Sequence, residues 1–181
     1  ELTGCRCASY CHHHAVCCCR TSVSAEPQRV FPVLLVVGNQ FYAVPGEESG
    51  ILIYGEQRGA AVADFDGDGR PDLAVTQNGA ETKLYRNSAS GRGLRIRITG
   101  APENIDGIGC VLRLKRGNLF GPAREIHAGS GYWSQDSAVT VLALPKGNKE
   151  TPVELQIRWP GGRVRSIQLP NDSLEYHISL N

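Results

Sequence analysis

The sequence has no methionine, and aromatic residues make up only 7% of its 181 positions. A core built from it must rely mainly on aliphatic side chains. Stretches with a 3.6-residue apolar period are nearly absent, which argues against a helical bundle. No apolar run approaches the roughly 18 residues that cross a bilayer as a helix. Val30 to Val37 is apolar but short, and Pro32 interrupts it. There is no phosphate-cradling glycine loop, zinc-protease helix or dinucleotide fingerprint, so those enzyme classes find no support. A formal net charge of +1 offers nucleic acid no global attraction. Past residue 19 one cysteine remains, Cys110, and a single thiol builds no disulfide framework.

What is present is unevenly distributed. Six of the seven cysteines fall between Cys5 and Cys19, interleaved with His12, His13 and His14. Thiolate and imidazole are good zinc ligands. Here, however, there is no paired C-x2-C framework and no apolar residue set to enclose an ion. Composition changes abruptly near Pro27. Residues 1–29 are therefore read as an unassigned tail, disordered or not native coding sequence. Charge also divides. Residues 1–91 hold 7 Lys/Arg against 10 Asp/Glu, whereas residues 92–181 hold 12 against 8. An acidic half followed by a basic half fits two modules, drawn here as 30–90 and 91–181 with the Ser/Gly-rich stretch Ser88 to Gly93 between them.

The fold class is read as all-β. Short β-rich runs are separated by Gly, Pro, Asn and Asp. In the first module the expected strands are Val33 to Val37, Gly50 to Tyr54, Ala60 to Ala63, Leu73 to Thr76 and Lys83 to Arg86. The last four, in so short a span, approach one propeller blade, and one blade closes no propeller. In the second module Leu94, Ile96 and Ile98 alternate with Arg95 and Arg97. Leu112 and Leu114 alternate with Arg113 and Lys115, and Leu155, Ile157 and Trp159 with Gln156 and Arg158. Period-two alternation predicts one buried and one wet face. Pro160-Gly161-Gly162 joins Val153–Trp159 to Arg163–Leu169 as a hairpin. With Ala123–Ala128, Val139–Leu144 and Leu174–Leu180, about seven strands are expected, enough for a small β-sandwich.

The chemically informative segment is Asp64-Phe65-Asp66-Gly67-Asp68-Gly69-Arg70-Pro71-Asp72. Carboxylates at positions 1, 3, 5 and 9 give a tight loop several hard oxygens to aim inward, as calcium requires. Gly67 and Gly69 permit backbone angles closed to other residues. The carbonyl of Arg70 is a further candidate donor, with its side chain directed away. The register resembles half of an EF-hand, but its twelfth position is Val75 rather than Glu, and both flanks are strand-like. Asp72 is therefore expected to close the shell. Four neighbouring carboxylates repel one another unless a cation is present. Asp64, Asp66, Asp68, Arg70 and Asp72 are the candidate metal ligands, with calcium favoured over magnesium by the loop's flexibility.

The run R-G-A-A-V-A-D-F-D-G-D-G-R-P-D-L-A-V-T-Q-N-G, followed by L-Y-R-N, resembles an FG-GAP/VCBS repeat, the calcium-binding blade of integrin-type propellers. Three further pieces, N-I-D-G-I-G at 104–109, R-E-I-H-A-G-S-G-Y-W-S-Q-D at 124–136 and V-E-L-Q-I-R-W-P-G-G-R-V at 153–164, resemble the ASPIC/UnbV domain. The resemblance implies a C-terminal piece of a longer exported protein, with its remaining propeller blades and any export signal upstream. It also implies a secreted, periplasmic or cell-surface location and a role in binding or adhesion to a protein or glycan. The runner-up is an accessory domain of an exported enzyme whose catalytic part lies upstream.

His127, Ser130 and Asp136 are close in sequence but come from one local turn, without a nucleophile elbow, and are not read as a triad. No catalytic residue is assigned. Tyr132 and Trp133 are expected in the core by default, with ligand stacking as the alternative. Arg95 and Arg97 lead a set of basic residues, Arg113, Lys115, Arg158, Arg163 and Arg165 among them, that would share a wet sheet face open to an anionic glycan or acidic partner.

Overall fold

The computed structural model describes residues 40–148, 150–170 and 172–179, together with the backbone of two strands upstream, β1 (Thr3–Cys5) and β2 (Val33–Val37). Apart from β1, the Cys/His-rich tail at 1–29 lies outside the described residues. The chain is nearly all β and divides into two compact units. The first comprises Glu1–Phe65, Arg70–Gly91 and Ser130–Asp136. The second comprises Asp66–Gly69, Arg92–Gly129 and Ser137–Asn181.

In the first unit, β2 forms an antiparallel hairpin with β3 (Gln40–Val44). A single helical turn, α1 (Gly46–Ser49), follows Pro45 and ends at Gly50, whose φ of 73° only glycine adopts readily. Next come β4 (Gln57–Ala63), β5 (Asp72–Gln77) and β6 (Lys83–Asn87), in a sheet ordered β1-β6-β5-β4. Leu73, Val75 and Tyr85 project from one face and bury with Ile51 and Ile53. Gly50 to Tyr54, expected as a strand, forms none of the strands among the described residues, and Tyr54 makes only an isolated β-bridge. The run still alternates, with Ile51 and Ile53 buried and Leu52 and Tyr54 exposed. The segment lays Ile51 and Ile53 against Leu73, Val75 and Tyr85 of the sheet. The Tyr85 hydroxyl holds it there by donating to the Leu52 carbonyl at 2.7 Å.

In the second unit two sheets share one core. β7 (Gly93–Thr99) is central in a three-stranded sheet. It runs antiparallel to β11 (Val139–Ala143) and parallel to β14 (Glu175–Ser179). The other sheet is ordered β10 (Arg124–Glu125), β8 (Val111–Arg116), β12 (Val153–Arg158) and β13 (Val164–Leu169), with β9 (Leu119–Phe120) paired to β8. Leu94, Ile96, Ile98 and Leu142 from the first sheet meet Leu112, Leu114, Val153, Leu155 and Ile157 from the second. This is the sandwich that the alternation predicts. The hairpin turn also forms, with Gly161 and Gly162 at φ values of 90° and 91° and the Trp159 N–H bonded to the Arg163 carbonyl at 2.8 Å. Ala123–Ala128 contracts to the two-residue strand Arg124–Glu125, and beyond its end the Ile126 N–H still donates to the Cys110 carbonyl at 2.9 Å. Cys110 is fully buried in this core, and burial pushes its thiol pKa up.

Candidate metal centre

The acidic loop connects β4 to β5, an antiparallel pair whose register ends at Ala63 opposite Asp72. The ladder therefore brings the two ends of the loop together. Gly67 and Gly69 turn it, with φ values of 74° and 83°. Gly69 is also the point of closest approach to its surroundings. A Cβ there would lie 2.9 Å from the Gly93 carbonyl oxygen, so a side chain is excluded on space as well as on angle.

Asp64 and Asp72 are buried, 9% and 3% exposed, while Asp66 is exposed. A buried carboxylate is costly unless it gains compensating partners. Two backbone amides are among those of Asp72: its Oδ2 accepts from the Phe65 N–H at 3.2 Å, and its Oδ1 accepts from the Asn87 N–H at 2.7 Å. The side chain thus ties the loop to the end of β6. Asn87 continues the tie by donating its Nδ2 hydrogen to the Pro71 carbonyl at 3.1 Å. Asn87 was not among the expected site residues, although it ends the L-Y-R-N run. An asparagine closing a strand is a weak signal by itself.

One carboxylate oxygen from each of Asp64, Asp66 and Asp72 lies within 4.8 Å of the others. Calcium binds oxygen at about 2.3–2.6 Å, so one ion can bridge oxygens up to about 5 Å apart. These three hard donors fit that requirement. Asp68 is not part of the trio. Its backbone N–H donates to Asp66 Oδ1 at 3.3 Å, an Asx-type turn that orients Asp66. The Arg70 side chain turns away, its Nε donating to the Asn87 carbonyl at 3.0 Å.

Two families match the chain. The FG-GAP repeat covers residues 58–86, and the family described as ASPIC and UnbV covers residues 100–179. The chain carries an FG-GAP repeat followed by an ASPIC/UnbV domain. No curated protein matches it. The acidic loop is the β4–β5 connection of the FG-GAP repeat, and the repeat gives the sheet the character of a propeller blade. FG-GAP repeats are typical of extracellular proteins. Among the described residues, no helix is long and apolar enough to cross a membrane.

The ASPIC/UnbV part departs from several expectations. Tyr132 and Trp133 do not enter the core. They are 67% and 82% exposed, their rings edge-to-face with centroids 6.0 Å apart. Trp133 has a φ of 53°, unusual for a side chain of that size. His127 has Glu125 as its acidic neighbour, 3.8 Å away, while Asp136 accepts from the Val62 N–H.

Nor do the basic residues share one face. Arg95 and Arg97 stand on the three-stranded sheet, the others on or beside the second. Arg95 is mostly buried and bonded through Nε to Glu175 Oε2 at 2.7 Å; Arg97 remains exposed. Arg113 lies 4.5 Å over the Phe120 ring, and Arg163 lies 4.8 Å over Trp159.

The Arg95 pair makes stability depend on pH. The hydrogen bond from Arg95, with that from His177 added, holds the Glu175 carboxyl below its ordinary pKa. A depressed carboxylate contributes stability that is fully present above the unfolded-state pKa, about 4.3. That contribution is lost as pH falls toward the lower folded-state value, because the unfolded chain takes up the proton first. Urea midpoints measured from neutral pH downward should therefore fall less steeply below about pH 5 in Glu175→Gln than in wild type. Superimposable acid limbs would remove this role for Glu175.

Proposed function

We propose that the chain is a non-enzymatic, calcium-stabilised extracellular module that binds or adheres to a protein or glycan partner. The observation that carries this reading is the Asp64, Asp66 and Asp72 trio on the β4–β5 loop of an FG-GAP repeat. Asp72 already accepts two backbone amides, Phe65 within that loop and Asn87 at the end of β6. A cation held by the same carboxylate stabilises the strand connection and relieves the repulsion among its neighbours. Its role is structural: it stiffens the blade. The exposed Tyr132 and Trp133 are the natural contact residues for a partner, because aromatic rings supply a large contact area at little entropic cost.

Calcium titrated into the chain should give saturable heat. At a hundredfold excess over Kd the ion should add about 2.7 kcal/mol of stability by mass action. Asp66→Ala removes an exposed ligand together with the exposed bond it accepts from the Asp68 N–H. It should weaken calcium binding by about tenfold or more, equivalent to at least about 1.4 kcal/mol, and should barely change stability in chelator. Unaltered calcium affinity in that variant would eliminate the loop as the site.

A further inference from the structure

β4 is an edge strand in the order β1-β6-β5-β4. Such a strand offers a row of outward backbone donors and acceptors, a ready template for another chain. In this protein two of those donors are engaged by side chains. The Ala60 N–H donates to Ser134 Oγ at 2.9 Å, and the Val62 N–H donates to Asp136 Oδ1 at 2.7 Å. The two amides are two residues apart, as are the two acceptors. That spacing is the strand repeat, with successive outward groups on every second residue. The segment Ser130–Asp136 lies within the first compact unit, although it is far from β4 in sequence.

Three features hold the segment in place. Ser134 Oγ donates its own hydrogen to the Tyr132 carbonyl at 2.9 Å, leaving its lone pairs for Ala60. A tight turn closes behind it, with the Ser130 N–H bonded to the Ser134 carbonyl at 3.1 Å. Opposite, the strand presents Gly59, where a Cβ would sit 2.7 Å from the Trp133 carbonyl oxygen. Only glycine allows so close an approach.

We propose that Ser134-Gln135-Asp136 is a sheet-edge cap, a short side-chain substitute for a strand that satisfies the outward amides of β4 and ends the FG-GAP sheet there. An oxygen from a serine and one from an aspartate replace two backbone carbonyls. The cap therefore offers no backbone ladder of its own to a further strand at those two positions.

The test is residue-resolved amide exchange on the whole chain. In wild type, the Ala60 and Val62 amides should be protected to a degree unusual for an edge strand; free exchange at both would overturn the proposal without any mutant. In Ser134→Ala/Asp136→Ala their protection should fall by about tenfold or more, while Leu73 and Val75 on β5 keep theirs. Asp136→Asn retains a carbonyl acceptor and should preserve protection at Val62, whereas Asp136→Ala should lose it. Equal protection in the alanine and asparagine variants would overturn the assignment of Asp136 as the acceptor. Gly59→Ala, which crowds the segment off the strand, should open the same two amides.

Discussion

Asp72→Ala should cost about 2–4 kcal/mol of folding stability with calcium chelated, and should abolish the calcium response. Its carboxylate accepts the Phe65 and Asn87 amides, one through each oxygen, while being almost wholly buried. Alanine leaves both part-buried amides without that acceptor; a fully buried donor left unsatisfied costs about 1–3 kcal/mol, and access of water to these two lowers the cost of each. The same change removes one of the three carboxylates that approach each other within 4.8 Å. Chemical denaturation in chelator and in excess calcium separates the effects. The midpoint in chelator reports the lost amide acceptors, and the gap between the two midpoints reports the ion. Asp66→Ala is the comparison, because it should close the gap and leave the chelator midpoint nearly in place. If Asp72→Ala behaved like Asp66→Ala, the bonds to Phe65 and Asn87 would have no energetic weight.

Leu155→Ala should destabilise the second unit by about 2–5 kcal/mol, the range for a fully buried leucine that leaves a cavity behind. Leu155 is 0% exposed and lies mid-strand on β12, opposite Leu114 on β8 and Ile167 on β13. Both neighbouring strands are fixed by backbone ladders, so they have little freedom to collapse into the space. Arg158, on the same strand but exposed, provides the contrast: Arg158→Ala should stay within about 0.5 kcal/mol. Amide exchange across β8, β12 and β13 measures both, and a small effect at Leu155 would mean that the sandwich core is loosely packed.

Much of this architecture was legible in the sequence wherever burial imposes a period. Leu94/Ile96/Ile98, Leu112/Leu114 and Leu155/Ile157 alternate because one face of each strand is dry, and all seven are buried. The acidic loop was legible because its glycines and carboxylates are written at fixed offsets. What could not be read were the contacts that depend on a distant partner. Arg95 sits at an outward position in its strand, yet the arrival of β14 places Glu175 against it. For Tyr132 and Trp133 the sequence leaves core packing as the default and exposed ligand stacking as the alternative, and the turn they occupy leaves them exposed. Within the loop, offset alone did not separate Asp66, which joins the trio, from Asp68, whose amide instead orients Asp66. Side-chain direction in a tight turn follows φ and ψ, which spacing does not encode. Ser134 and Asp136 offered no signal either, because their partners are 74 residues away.

The position of β7 also sets a clock. It is flanked by β11 on one side and by β14 on the other, and both lie later in the chain. As the chain emerges from a ribosome, β7 has neither neighbour until residues 139–143 are made, and its second edge stays open until residues 175–179 appear. At typical synthesis rates of about 5–20 residues per second, that interval lasts roughly 4–16 s. Through it, Leu94, Ile96 and Ile98 have no completed sheet to enclose them. The basic residues between them, Arg95 and Arg97, are then more than surface decoration. They place charge within a nascent apolar strand during the seconds when it is most open to mispairing.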